Sequence, residues 1–125
     1  MEMDHLTSVP PIVLVERGGY QGMYGSIVEL LEDVEAIDVM NGEYTVYDAK
    51  GRLIALSADS PVAKVSASPT ADLRPHDLDR ILARAAENIG SVRLRVVDAD
   101  LRSAELLAAI WRFEHEPRPF PGDGA

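Results

Sequence analysis

The sequence predicts an α+β fold, a largely antiparallel sheet with helices packed on it, in the order β-α-β-β-β-β-α-β-α. Three observations carry this expectation. A short apolar run behind two prolines is followed by apolar residues at helical spacing. The middle of the chain alternates apolar and polar residues around two turn signals. The second half holds two further stretches with helical periodicity. The 125 residues suffice for one domain, here residues 11–115, with an N-terminal arm over 1–10 and a Pro/Gly-rich tail over 116–125.

Taken in order, PIVLVE (11–16) reads as a buried strand whose prolines hold the chain extended. From Met23 the apolar residues Met23, Ile27, Leu30, Leu31 and Val34 form a helical stripe, with Glu29, Glu32 and Asp33 on the opposite side. Next, AIDVMNGEYTV carries Asn41-Gly42, which suits a type I′ hairpin turn, and VYDAKGRLIAL carries Asp48-Ala49-Lys50-Gly51, where Asp48 caps the turn and Gly51 takes a left-handed position. These turns place Ile37, Val39, Tyr44, Val46, Ile54 and Leu56 on one face. Asp38, Met40, Glu43, Thr45, Tyr47, Leu53 and Ala55 fall on the other. A fourth strand of the meander is expected over Val62–Ala67, before a loop SPTADLRP.

A helix over Pro75–Ile89 starts at a proline, carries Asp77 at its positive end, and aligns Leu78, Ile81, Leu82, Ala85 and Ile89; Gly90 stops it. SVRLRVV (91–97) alternates as a half-exposed strand, and a last helix is expected over Asp100–His115. Three prolines and two glycines in EPRPFPGDGA predict a disordered tail.

The charge is uneven. Net charge is −9, and residues 1–60 hold eleven acidic side chains against three basic ones, Arg17, Lys50 and Arg52. Such a field repels phosphate backbones and anionic lipid and favours a basic partner, so neither nucleic acid nor membrane is expected. The N-terminus has neither a signal-peptide pattern nor a span-length apolar run, which leads to the expectation of a cytoplasmic protein. With no cysteine there is no disulfide, thiol nucleophile or thiolate metal site.

The richest candidate for chemistry is the run of Gly18, Gly19, Gly22 and Gly25 between strand and helix. It matches neither G-x-G-x-x-G nor a P-loop, lacks a lysine, and leads into an acidic helix. His5, His76 and His115 make no metal-binding spacing, and no serine lies in a G-x-S-x-G elbow. The arginines of the second half are nearly cancelled by acids. The sequence therefore assigns no catalytic residue, metal or cofactor, and predicts a non-enzyme.

The leading expectation is an acidic module that masks a basic protein partner, in the manner of an immunity protein, an antitoxin or a secretion chaperone. Its contact residues are expected to be Glu29, Glu32, Asp33, Asp38, Met40, Glu43 and Tyr47, acidic side chains around apolar and aromatic anchors. Two alternatives stand beside it. One is a small-molecule-binding domain or enzyme using the loop Gly18–Gly25 through Gly19, Tyr20, Gly22 and Tyr24; the other is a structural or regulatory subunit that forms a homodimer through a sheet edge.

Overall fold

A computed structural model of the chain describes residues 7–89, 103–115 and 117–121. The α+β class holds: among these residues five antiparallel strands form one sheet with helices on both faces. The strands are β1 (Ile12–Glu16), β2 (Gly19–Tyr24), β3 (Tyr44–Tyr47), β4 (Arg52–Ser57) and β5 (Ser66–Leu73), in spatial order β2-β1-β3-β4-β5. The helices are α1 (Ile27–Asp33), α2 (Ala36–Met40), α3 (Pro75–Ile89) and α4 (Ser103–His115).

β1 lies inside the sheet, which explains its unbroken apolar run. Val13 faces α3 and α4 in a core with Met23, Tyr47, Leu78, Leu82, Leu107, Ile110 and Trp111. Ile12 and Leu14 face α1 and α2 in a second core with Leu30, Val34, Val46 and Ile54. A strand buried on both sides has no polar face to alternate with.

Two segments take a form other than the expected one. The glycine run is neither a loop nor the start of a helix: Gly19–Tyr24 is the edge strand β2, returning along β1 after a turn at Arg17-Gly18. Gly19 sits at φ 125°, a conformation open to glycine and closed to a helix of L-residues. Opposite Leu14 stands Gly22 and opposite Val15 stands Tyr20, so Gln21 is a bulge residue that reverses the alternation of side chains. Tyr20 and Met23 consequently share the α3–α4 side, while Tyr24 packs on the α1–α2 side.

The second segment is AIDVM, expected as a strand and found as α2. Its burial follows a helical period: Ala36 is buried and Val39 packs inward, whereas Ile37 and Met40 are 47% and 48% exposed. Asn41-Gly42 ends this helix and makes no hairpin. Gly42, at φ 68°, donates its N–H to the Val39 carbonyl, and Glu43 donates to that of Asp38, the paired bonds of a Schellman motif. The same left-handed tolerance that suits a type I′ turn serves a helix C-terminus.

Smaller differences follow. α1 begins at Ile27, where Ser26 Oγ accepts the Glu29 N–H at 3.2 Å. β5 begins at Ser66 and runs through the expected loop to Leu73, with Pro69 tolerated where β5 has one strand neighbour among the described residues. The turn Asp48–Gly51 forms as expected: Gly51 is at φ 88° and donates its N–H to the Asp48 carbonyl, while its own carbonyl accepts from Arg74 at the start of α3. α3 has the expected bounds. The stop at Gly90, the strand SVRLRVV and the first residues of the last expected helix, 100–102, lie outside the described residues.

The tail also departs from the expectation of disorder over 117–121. The Trp111 indole N–H donates to the Arg118 carbonyl at 3.0 Å, Phe120 meets the Trp111 ring edge-on, and the Arg118 guanidinium binds Glu29. His115 Nε2 lies 3.0 Å from the Met23 carbonyl of β2. The end of α4 and the residues after it thus strap the β2 edge, joining one helical layer to the other and covering an otherwise open strand.

Candidate functional site

Between Arg17 and Lys50 the chain has no basic residue, and residues 27–40 carry five acidic ones. The fold gathers most of these on α1 and α2, which form the outer layer on one side of the sheet. Glu32, Asp33 and Glu35 are exposed there. Beside them run apolar side chains that no core residue covers: Val28 is 66% exposed, together with Ile37 and Met40.

An open groove of about 360 Å³ lies in this layer, walled by Val28, Leu31, Val34 and Ala36 from the helices and by Ala63 and Val65 from the segment before β5. Glu32 and Lys64 stand at its edge, and Val62 nearby in sequence is 95% exposed. Exposed apolar surface rimmed by charge is the composition of a contact site.

The predicted contact residues separate into two sets. Glu32, Asp33 and Met40 lie exposed on the α1–α2 layer. Asp38 is on α2 but receives the Tyr44 hydroxyl at 3.2 Å, and Asp33 also receives the Tyr24 hydroxyl at 2.8 Å. Glu29 is committed to Arg118, and the hydrogen bond from that guanidinium, ahead of the one from the Gly25 N–H, holds its carboxyl below the usual range. Glu43, at the end of α2, pairs with Arg17 at 3.5 Å. Tyr47 does not join them: it faces the other side of the sheet and is 7% exposed beneath α3. The face expected to hold it is half covered, with Leu53 packed under the helices and Thr45 and Ala55 exposed.

The alternative ligand residues are strand residues. The Tyr20 hydroxyl donates to Glu114 on α4 at 2.6 Å and the Tyr24 hydroxyl is taken by Asp33, so the two phenols tie β2 to its neighbours. Burial, reinforced by these carboxylates, raises the pKa of both. Gly22 lies opposite Leu14, and Gly19 opens onto a groove along α3. At the far side of the sheet β5 has no second strand neighbour among the described residues, and its sequence SASPTADL is polar and broken by Pro69, which disfavours pairing with another strand.

Among the described residues no group of three or more His, Asp, Glu or Cys is placed to hold a metal ion, and no helix is long and apolar enough to cross a membrane. Asp48, the one buried charged residue among those described, is occupied by structure: its carboxylate accepts from the backbone N–H groups of Val9, Lys50 and Arg52 at 2.8–3.0 Å.

Sequence reasoning missed the apolar half of the α1–α2 surface. The signal was present in Val28, an apolar residue outside the helical stripe, and in Val62, which follows a proline in a segment read as strand. It also missed the Ser26-Glu29 cap, although S-x-x-E ahead of an apolar run marks a helix start. No protein-family model matches the chain, and no curated protein or solved structure does so either.

Proposed function

We propose that this protein is an acidic protein-binding module whose α1–α2 layer receives a basic partner. The observation that carries the reading is the apolar groove between α1 and the segment before β5, edged by Glu32 and Lys64, in a helical layer that also exposes Asp33 and Glu35 and contains no basic residue of its own. Exposed carboxylates steer a cationic protein to this side, and Val28, Leu31 and Met40 supply apolar area that is lost from water on contact. Masking of a basic protein, as by an immunity protein, an antitoxin or a secretion chaperone, is the role such a surface suits. A cytoplasmic location accords with this reading.

Affinity capture of the tagged protein from its own cell lysate, at low and high salt, tests it. The expected result is one stoichiometric basic protein, released by salt and not captured by the double variant Glu32→Lys, Glu35→Lys. Both side chains are exposed and make no hydrogen bond or ion pair among the described residues, so the variant is expected to remain folded. Capture that is insensitive to both salt and charge reversal refutes the reading.

A further inference from the structure

On the opposite side of the molecule an open groove of about 660 Å³ runs along α3, lined by Asp77, Arg80, Ile81, Ala83, Arg84 and Glu87 and by Tyr47 and Gly19 from the sheet. The volume is within the range of small-molecule sites. Arginines spaced i, i+4 on a helix project to the same side, so Arg80 and Arg84 stand one above the other along this groove.

Charges on an exposed helix face are ordinarily solvated and need no ligand. Tyr47 is what separates this face from that case. It is 7% exposed, it lines the groove, and among the described residues its hydroxyl has no hydrogen-bond partner. The ring is held in the core beneath α3, so the hydroxyl is a donor aimed into the groove from a fixed position, with no protein acceptor among the described residues competing for it. The groups within electrostatic reach of this hydroxyl are Asp77, Arg74 and Arg80.

The acids do not close the site. Asp77 is engaged by Arg80 at 2.5 Å and Arg74 at 3.7 Å. Arg80 spends one nitrogen on that contact and keeps its other donors, and Arg84 makes no hydrogen bond or ion pair among the described residues. Glu87 is one turn beyond Arg84, at the far end of the groove. Beside Asp77, therefore, the remaining nitrogens of Arg80, the Arg84 guanidinium and the Tyr47 hydroxyl supply more donors than that one carboxylate takes up. At Gly19 the groove is open: a Cβ there would meet nothing within 4 Å.

We propose that this groove binds a small oxyanion-bearing molecule, a carboxylate or phosphoryl compound, through Arg80, Arg84 and the Tyr47 hydroxyl. Glu87 then selects ligands whose other end donates hydrogen bonds. The site is independent of the α1–α2 surface and stands whether or not a protein partner binds there.

The test is an NMR titration of the full chain with inorganic phosphate and with acetate, each at constant ionic strength set by chloride. The arginine Nε–Hε and tyrosine ring resonances are the readout. The expected result is a saturable shift of Arg80, Arg84 and Tyr47 with at least one of the two anions, weakened about tenfold or more in Arg84→Gln and in Tyr47→Phe, as the loss of a hydrogen bond to a charged group implies. Arg112→Gln, on the exposed side of α4, leaves it unchanged. Response to phosphate alone assigns a phosphoryl ligand, and response to both assigns oxyanions in general. Should Tyr47→Phe fold poorly, Arg84→Gln decides. Absence of a saturable shift with either anion, or equal affinity in wild type and Arg84→Gln, overturns the proposal.

Discussion

Replacing Asp48 by alanine removes an acceptor that three backbone donors share. The Val9 N–H bonds one carboxylate oxygen at 3.0 Å, and the N–H groups of Lys50 and Arg52 bond the other at 2.8 and 2.9 Å. The carboxylate is fully buried. Lys50 is exposed, so water replaces its lost bond, but Val9 and Arg52 are half-buried. Leaving two such donors unpaired costs about 1–3 kcal/mol each, so Asp48→Ala is expected to lose roughly 3–5 kcal/mol. That is a large part of the roughly 5–15 kcal/mol of a typical domain. In urea, with a slope of about 1.5 kcal/mol/M, the midpoint falls by roughly 2–3 M. Asp48→Asn keeps an oxygen for Lys50 and Arg52 and turns an amide donor toward Val9, so it should lose about half as much. A loss below about 1 kcal/mol for alanine would show that the turn does not depend on these bonds. Equal losses for asparagine and alanine would refute the assignment of acceptors to donors.

Three other outcomes are expected. Gly51→Ala places a Cβ 2.7 Å from the Pro75 Cα at φ 88°, and should destabilise by about 3 kcal/mol in the same urea assay. All four tyrosines have raised pKa values, with burial the first cause in each. The folded chain then keeps phenolic protons that the unfolded chain releases above pH about 10, so stability is level below that pH and falls above it. Tyrosinate absorbance should rise together with the loss of circular dichroism, and a phenol titrating normally in the folded protein would contradict this. The lowered pKa of Glu29 has the opposite sign: its contribution is present above pH about 4.5 and disappears as acid protonates it. Glu29→Gln should accordingly show a shallower decline in melting temperature on acidification than wild type, and parallel declines would exclude a role for the Arg118 pair.

Where local pattern and tertiary demand agree, the fold was legible in the sequence. α3 is fully specified by its own residues: proline at the start, an acid in the first turn, and an apolar stripe that stays on one side for four turns. The Asp48–Gly51 turn was legible for the same reason, since its chemistry is local. The β2 strand was not, because the bulge at Gln21 breaks the two-residue alternation by which strands are recognised. α2 was missed because five residues are too few to show a helical period, and Asn41-Gly42 has the same left-handed preference in a hairpin and in a helix end. At the candidate surface, charge is readable from composition alone. Whether Tyr47 points to solvent or to α3 depends on a helix nearly thirty residues away, and no local rule encodes that choice.

The chain has one tryptophan, Trp111, which has no exposed surface and is held among Arg118, His115 and Phe120. Because Arg118 also grips Glu29 of α1, the indole is linked through one side chain to the helix that borders the acidic groove. The fluorophore is thereby an internal optical gauge of the strap. Its emission should report release of the tail by a red shift as water reaches the ring, without any label added to either helical layer.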